Sequence, residues 1–507
     1  MKSRFRIGLL TLLAFLPISG CGDPDNPSPA STIRPGTVEQ NGLMAFPISQ
    51  LGTAGDPIPY YDEASQTTYL YYLLNEASRL GQGEHPIALL TTKDFISYKD
   101  EGVVINYETP SSQDYLLGTG SVIKDQAGLY HFFYTGWNPN HSATVQYTEK
   151  VQHATSTDLR TWSKKPTAGF YGGTNDFRDP EVVYMAEKSE YWMLITTNRD
   201  GKPVLEKYVS KDLTSWVDDS VFYSGEGYNM ECPTLLHYNG YWYLSFSLQA
   251  PDGTQERVTK YRYRKSLDTG SWLVPYSDSF DWAGLYAGKT YATGTDMYIT
   301  GWTGERNSSV DNGSLGWGGN LVTHHLVQQI DGTLVPEAVS ALDTSLSHAV
   351  EHNTLSESST FDTDAIAFAT AASEYRIYEG FPTTNASRVT FDLTSGTSGK
   401  DGIAFGVNKN QASGFVSLVF NHSEGTVALY PCGQDEISGK EPTLTTSLAL
   451  PAGRAVSCEL IVQGNVITLY VGGLKALTTK VYALPGKDFG FFGLDSATSF
   501  ADIRFFE

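Results

Sequence analysis

Five aromatic, strand-like runs return along this 507-residue chain at a spacing of roughly 50 to 60 residues. They are Tyr69–Tyr72, Tyr130–Tyr134, Tyr191–Leu194, Tyr241–Leu244 and Met297–Thr300. A second marker follows three of them in phase, an Asp-aliphatic/aromatic-x-x-aromatic turn at Asp94 to Tyr98, Asp158 to Trp162 and Asp212 to Trp216. Between the markers apolar and polar residues alternate and break at Gly, Asn and Asp, as in Leu235 to Tyr241, which reads as short antiparallel strands joined by tight turns. A sheet unit of that length cannot bury its own apolar face and must stack against copies of itself. The expected fold class is therefore all-β: a five-bladed β-propeller over 46–340, each blade a four-stranded sheet.

A second unit follows. The Ser340 to Thr363 stretch is rich in Ser, Thr, Asp and His and has no aromatic residue before Phe361, which marks a linker. Beyond it Arg388 to Leu393, Phe415 to Phe420, Thr426 to Tyr430, Glu459 to Val462 and Val466 to Val471 read as strands, and Gly472-Gly473 as a two-residue hairpin turn into Lys475 to Tyr482. We expect a C-terminal β-sandwich, so that 341–507 is linker plus sandwich.

The chemistry is carried by three acidic residues, each directly before a proline or one residue from it: Asp56-Pro57, Asp179-Pro180 and Glu231-Cys232-Pro233. Each precedes one of the aromatic runs by a similar distance, so three repeats should present a carboxyl at the same place. Proline cannot donate to a central ladder, which puts these residues at strand entrances. If the first strand of each repeat lines a central channel, Asp56, Asp179 and Glu231 converge at one mouth of it. Two carboxyls in different environments can protonate a departing glycosidic oxygen and meet the positive charge developing at the anomeric carbon. A third can grip sugar hydroxyls more tightly as the ring flattens. The apolar neighbours Met230 and Cys232 would disfavour an ionised Glu231, making it the acid.

Charge narrows the partners. With 35 basic and 56 acidic residues the net charge is −21, a field that repels phosphate backbones, so nucleic acid is excluded and a neutral carbohydrate is the expected partner. His324 and His325 are adjacent and would point to opposite faces of a strand, and neither His-Glu-x-x-His nor Cys-x-x-Cys occurs. The chemistry calls for no metal and no cofactor. The N-terminus, with Lys2, Arg4 and Arg6 before an apolar stretch from Ile7 to Pro17, has the build of an export signal. Its Ser19-Gly20-Cys21 ending resembles a bacterial lipobox, which implies a lipid on Cys21 after removal of the 1–21 signal region. Residues 22–45 then read as a flexible tether, and the protein as a monomer held to a bacterial membrane by that anchor alone, on a periplasmic or cell-surface face. Cys432 and Cys458 lie in the late unit, and the sequence leaves open whether they pair.

Several motifs resemble, in order, those of glycoside hydrolase family 32: Gly118-Thr119-Gly120-Ser121, Arg178-Asp179-Pro180, Met230-Glu231-Cys232-Pro233, Leu285 to Thr290, Gly301-Trp302 and Gly316 to Gly319. The family comprises invertases, levanases, inulinases and other β-fructosidases, and the resemblance runs from about Phe46 to the C-terminus. It implies a retaining hydrolysis of β-fructofuranosidic bonds with Asp56 as nucleophile, Glu231 as acid and then base, and Asp179 as stabiliser of the transition state. It places Arg178, Ser121, Tyr286, Lys289 and Trp302 around the substrate. Trp137, Trp302 and Trp317 are open between stacking on sugar rings and packing between blades. One departure stands out: Gly55-Asp56-Pro57-Ile58-Pro59 replaces the family's Asn-Asp-Pro-Asn-Gly, losing both amides at the sugar subsite. The alternatives are a hydrolase or transferase acting on another furanoside, and a non-catalytic glycan-binding lipoprotein.

Overall fold

The computed structural model describes residues 38–39, 42–76, 85–174, 176–225, 227–249, 257–362, 364–369, 373–382, 385–407, 414–484 and 487–507. The signal region, Cys21 and most of the 22–45 tether lie outside the described residues. Those described are β throughout, apart from three 3₁₀ turns and one short α-helix, Ser340–Ser345. That helix falls at the boundary where the sequence loses its aromatic period.

Five antiparallel meanders come first. Their inner strands are Gly52–Asp62, Leu116–Lys124, Phe177–Met185, Asn229–Tyr238 and Tyr286–Thr293. Each aromatic run of the sequence is the strand paired directly to one of these: Thr67–Glu76, Tyr130–Trp137, Glu190–Arg199, Tyr241–Gln249 and Asp296–Arg306. The inner strands neighbour one another in chain order and the last lies beside the first, as in a β-propeller. The first and last meanders share one sheet through the Gly319–Ala54 pairing, and Leu321 N donates to Pro47 O at 3.0 Å. Bulky rings fill the interfaces between meanders: Tyr71, Phe132 and Trp162 pack edge to face between the first and second.

The phased Asp turns prove to be one structure used three times. Asp94 Oδ1 accepts the amides of Ile96 and Ser97, Asp158 those of Arg160 and Thr161, and Asp212 those of Thr214 and Ser215, all within 3.0 Å. The residue after each Asp adopts a left-handed backbone, with φ of 62°, 62° and 61° at Phe95, Leu159 and Leu213. Those three side chains are buried, so each turn drives an apolar plug between meanders. The fourth meander departs from the expected four strands. Beyond Val258–Arg264 only isolated bridges form, Tyr263 with Leu273 and Lys260 with Ser279. Pro275 lies between them and has no N–H to extend a ladder.

The second unit is two seven-stranded antiparallel sheets packed face to face over one apolar core that includes Phe391, Phe405, Leu418, Leu460, Leu469, Phe489 and Phe491. Its hairpin at Gly472 is a three-residue loop, because Val471 pairs with Lys475 and Leu474 N donates to Val471 O. Cys432 and Cys458 are both free and buried, which settles the pairing left open by the sequence.

Trp282 joins the two units. It lies before the fifth inner strand yet belongs to the sandwich core, is 1% exposed, and donates from Nε1 to Thr478 O. Beneath it Asp281 Oδ1 accepts the amides of Trp282 and Thr478, while its Oδ2 contacts His324 Nε2 at 3.1 Å, and His324 Nδ1 meets Tyr470 OH at 2.8 Å. Trp282→Ala is expected to destabilise the protein by about 3–5 kcal/mol through lost burial and a residual cavity. Urea titration with intrinsic fluorescence checks this, and an unmoved midpoint would show that the units do not depend on the contact.

Candidate active site

All five inner strands slip register at the same point, between Gly55 and Ile58, Leu117 and Gly120, Arg178 and Glu181, Glu231 and Thr234, and Tyr286 and Lys289. Each slip leaves two residues without a cross-strand partner, a β-bulge that bends the strand and re-aims side chains. Four of the five first bulge residues sit in the left-handed region: Asp56 at φ 41°, Asp179 at 57°, Cys232 at 53° and Ala287 at 51°. Asp tolerates that region better than most residues, whereas Cys232 and Ala287 hold it at a cost that their buried surroundings impose.

The bulges correct two expectations. The carboxylates are not at strand entrances, since the strands begin earlier, at Gly52, Phe177 and Asn229. Pro57, Pro180 and Pro233 are accepted inside the strands because a bulge residue has no ladder hydrogen bond to lose. Nor do the three carboxyls occupy one repeat position. Asp56 and Asp179 are in the bulge itself, and Glu231 is the residue before it, equivalent to Gly55 and Arg178.

Hydrogen bonds to neighbouring residues nevertheless gather the three acids, with Tyr286 and Trp302 paired across the fifth meander. Asp179 is 5% exposed, its Oδ2 accepts the Cys232 amide at 2.9 Å, and its own amide donates to Thr135 Oγ1 at 2.9 Å. Glu231 Oε1 accepts from Arg178 Nη2 at 3.0 Å, and Oε2 accepts from the Tyr286 hydroxyl at 2.5 Å. Asp56 Oδ1 accepts from Trp302 Nε1 at 2.9 Å. These contacts bring residues 56, 179, 231, 286 and 302 together from four different meanders.

The electrostatics separate the acids. Burial pushes Asp56 up to about 7, with Asp179 and Glu231 adding to the rise and the Trp302 and Lys289 contacts opposing it. Burial likewise raises Asp179, with Glu231 in the same direction and Arg178 and the Cys232 amide against. Tyr286 is held well above the usual phenol range by burial and then by Glu231, so it stays a hydrogen-bond donor. Burial works against the charge on Arg178, but Glu149, Glu231, Asp179 and Asp176 outweigh it and keep the guanidinium ionised. The expected apolar surroundings of the Glu231 carboxyl are not found. Met230 and Cys232 are buried, but neighbours along a strand point to opposite faces, and both Glu231 oxygens face donors instead.

The remaining sequence candidates divide. Arg178, Tyr286 and Trp302 contact the carboxylates directly. Ser121 is buried and its Oγ accepts the Val182 amide at 2.9 Å, so it ties the second inner strand to the third. Lys289 is 1% exposed and donates to Gly120 O at 2.5 Å, with Glu181 Oε2 at 3.6 Å, so it ties the fifth inner strand to the second and third. Trp137 is 38% exposed at the end of its strand, paired with Glu149. Sequence reasoning missed Glu149, which accepts the Phe177 amide at 2.7 Å and faces Arg178, and Glu181, pushed up to about 7 by burial. A buried lysine requires a counter-charge, and that was the signal for Glu181.

Lys289 draws down the proton affinity of Asp56, Asp179 and Glu181 together. Lys289→Met is expected to move the acid limb of the pH–rate profile to higher pH, because the carboxylates lose a cation that favours their charged forms. An unchanged profile in a folded variant would remove the lysine from the electrostatics of the site.

Comparison with known proteins accords with this geometry. The Glycosyl hydrolases family 32 N-terminal domain matches residues 60–333, which include Arg178, Asp179, Glu231, Tyr286 and Trp302 and begin just after Asp56. The levanbiose-producing levanase of Geobacillus stearothermophilus is 26% identical over 234 residues, 44% of this chain and 52% of that protein. The sucrose-6-phosphate hydrolase of Pediococcus pentosaceus is 26% identical over 226 residues, 42% of each. The chain spans about half the length of the curated relatives it matches. Among solved structures, an exo-inulinase from Aspergillus awamori superposes with a TM-score of 0.68 at 14% identity, over 96% of this chain and 98% of that one. A GH32 beta-fructofuranosidase from Bombyx mori gives 0.66 at 17% identity, over 91% and 93%. At those identities the likeness is one of fold. The family domain covers more than half of the sequence, and by that measure the chain belongs to glycosyl hydrolases family 32.

Proposed function

We propose that the protein is a retaining glycoside hydrolase that cleaves β-fructofuranosidic bonds in fructans, fructo-oligosaccharides or sucrose. The observation that carries this reading is the meeting of Asp56, Asp179 and Glu231 in or beside the bulges of three inner strands, where Arg178 and the Cys232 amide join Asp179 to Glu231 and both acids raise the proton affinity of Asp56. Relatives named for action on levan and on sucrose 6-phosphate support the substrate class.

In the first step the ionised Asp56 attacks the anomeric carbon, the glycosidic bond breaks, and Glu231 gives its proton to the departing oxygen. The product is a fructosyl ester on Asp56. Glu231, now a carboxylate, takes a proton from water as the water oxygen attacks the same carbon and releases Asp56. Asp179 accepts hydrogen bonds from ring hydroxyls that strengthen as positive charge develops on the ring. Turnover requires the proton on Glu231 and the charge on Asp56. Sugar hydroxyls donated to Asp56 favour its charged form.

We further propose that the five meanders are the blades of a five-bladed propeller over 46–340, with 341–507 as linker and sandwich. We also propose a monomer, and the export-type leader with its lipobox-like Cys21 supports its anchoring to a bacterial membrane by lipid. Incubating purified protein with levan, inulin, fructo-oligosaccharides, sucrose and other furanosides, then separating the products, tests the activity. Free fructose supports the reading, and products longer than the donor indicate transfer. Binding of levan or inulin with no release of reducing sugar replaces the enzyme by a capture protein.

A further inference from the structure

Gly55 immediately precedes Asp56, is buried, and is not among the residues with positive φ, so its backbone does not call for glycine. Space does. A Cβ added at Gly55 would meet Trp317 Cζ2 at 2.4 Å, Cη2 at 2.6 Å and Cε2 at 2.9 Å, distances that no real contact sustains. The six-membered ring of the Trp317 indole thus lies directly over the Gly55 Cα. His85 supports the indole, with ring centroids 4.0 Å apart at 30°. Burial lowers the His85 imidazole to about 4, so the ring behind the indole is neutral at working pH. Trp302, whose Nε1 holds Asp56 Oδ1, stands 5.9 Å from Trp317. Trp317 itself is half-buried, and Trp302 links its indole to the Asp56 carboxyl.

We propose that Trp317 is the specificity-determining wall of the sugar pocket at Asp56, packing its indole on the C–H face of the terminal furanosyl unit in space that Gly55 leaves vacant. This inference rests on the furanosidase reading and deepens it. An indole offers that sugar a broad apolar surface, and residue 55 offers no group to bind a hydroxyl. The sugar unit at this position is therefore selected by shape and C–H contact, not by an amide reading one hydroxyl. With the Trp317 indole in place, residue 55 cannot carry a side chain.

The test is a cycle on the full chain. Trp317→Ala is expected to raise KM for a cleaved fructoside by about tenfold or more with kcat little changed, and Trp317→Phe to keep most of the affinity. Gly55→Ala is expected to lower kcat/KM by about tenfold or more, because its methyl collides with the indole beside Asp56. Adding Trp317→Ala to Gly55→Ala should relieve the collision and recover activity above that of Gly55→Ala alone. Thermal melts of the wild type, Trp317→Ala, Gly55→Ala and the double variant separate packing from recognition. Coupling in melting temperature without coupling in KM would overturn the proposal, as would an unchanged KM in Trp317→Ala. If the wild type cleaves no furanoside, the functional reading fails, and calorimetric titration with fructose decides the wall. A weaker Kd in Trp317→Ala supports it, while equal affinity, or no binding to the wild type, overturns it.

Discussion

Asp56→Asn is expected to abolish turnover while making the protein more stable at pH 8. The loss of activity follows from removing the attacking oxygen, and should be on the order of 10⁴-fold or more. The gain in stability follows from the sign of the Asp56 shift. Its carboxyl titrates at about 7 in the folded protein against an ordinary value of 3.8, so between those values the folded state holds a proton that the unfolded chain has released. Stability contributed by this site therefore falls as pH rises from about 4 to 7, and the full penalty of a buried charge beside Asp179 and Glu231 is present above 7. An asparagine keeps an oxygen for Trp302 Nε1 and carries no charge. The difference corresponds to about 2–4 kcal/mol at pH 8, the upper end following from the rise from 3.8 to about 7. Thermal melts of both proteins at pH 4 and pH 8 measure it. A variant less stable than the wild type at pH 8 would refute the electrostatic account, and retained turnover would refute the nucleophile.

Glu231→Gln is expected to reduce turnover of natural fructosides by about 10²–10⁴-fold, which corresponds to roughly 3–5 kcal/mol in barrier. The glutamine preserves shape. Its oxygen can still accept from Arg178, and its amide can donate to the Tyr286 oxygen, so folding should be unaffected. The deficit should depend on the leaving group. Fructosyl fluoride departs with little need of a proton and should react nearly as fast with the variant as with the wild type in the first step, provided Asp56 is intact. Equal deficits on sucrose and on the fluoride would assign Glu231 to binding instead of proton transfer, and no deficit on either would remove it from the mechanism.

The two variants probe acids whose environments differ more than their sequence contexts do. Asp56 and Glu231 both stand near a proline on an inner strand, yet one is disfavoured as an anion and the other has both oxygens covered by donors. The cause is a one-residue offset across the bulge. Asp179, inside its bulge, turns to Cys232 N on the neighbouring inner strand and Asp56 turns to Trp302, whereas Glu231, before its bulge, meets Arg178 and Tyr286.

Much of the architecture was legible in the amino acids because its determinants are local. The aromatic period, the Asp turns that cap three meanders, and the alternation of the sandwich strands each act within a few residues, where backbone preferences and side-chain reach decide the outcome. The three acids could be singled out for a related reason, since each stands beside a proline or one residue from it before an aromatic run, although Glu231 precedes its bulge while Asp56 and Asp179 lie inside theirs. What surrounds those acids was decided only in three dimensions. Trp302 reaches Asp56 across 246 residues, Lys289 reaches Gly120 across 169, and Trp317 covers Gly55 from the opposite end of the repeat array. Register slips, counter-charges and the burial that moves a proton depend on which segments become neighbours, and that choice is made by packing the whole chain at once.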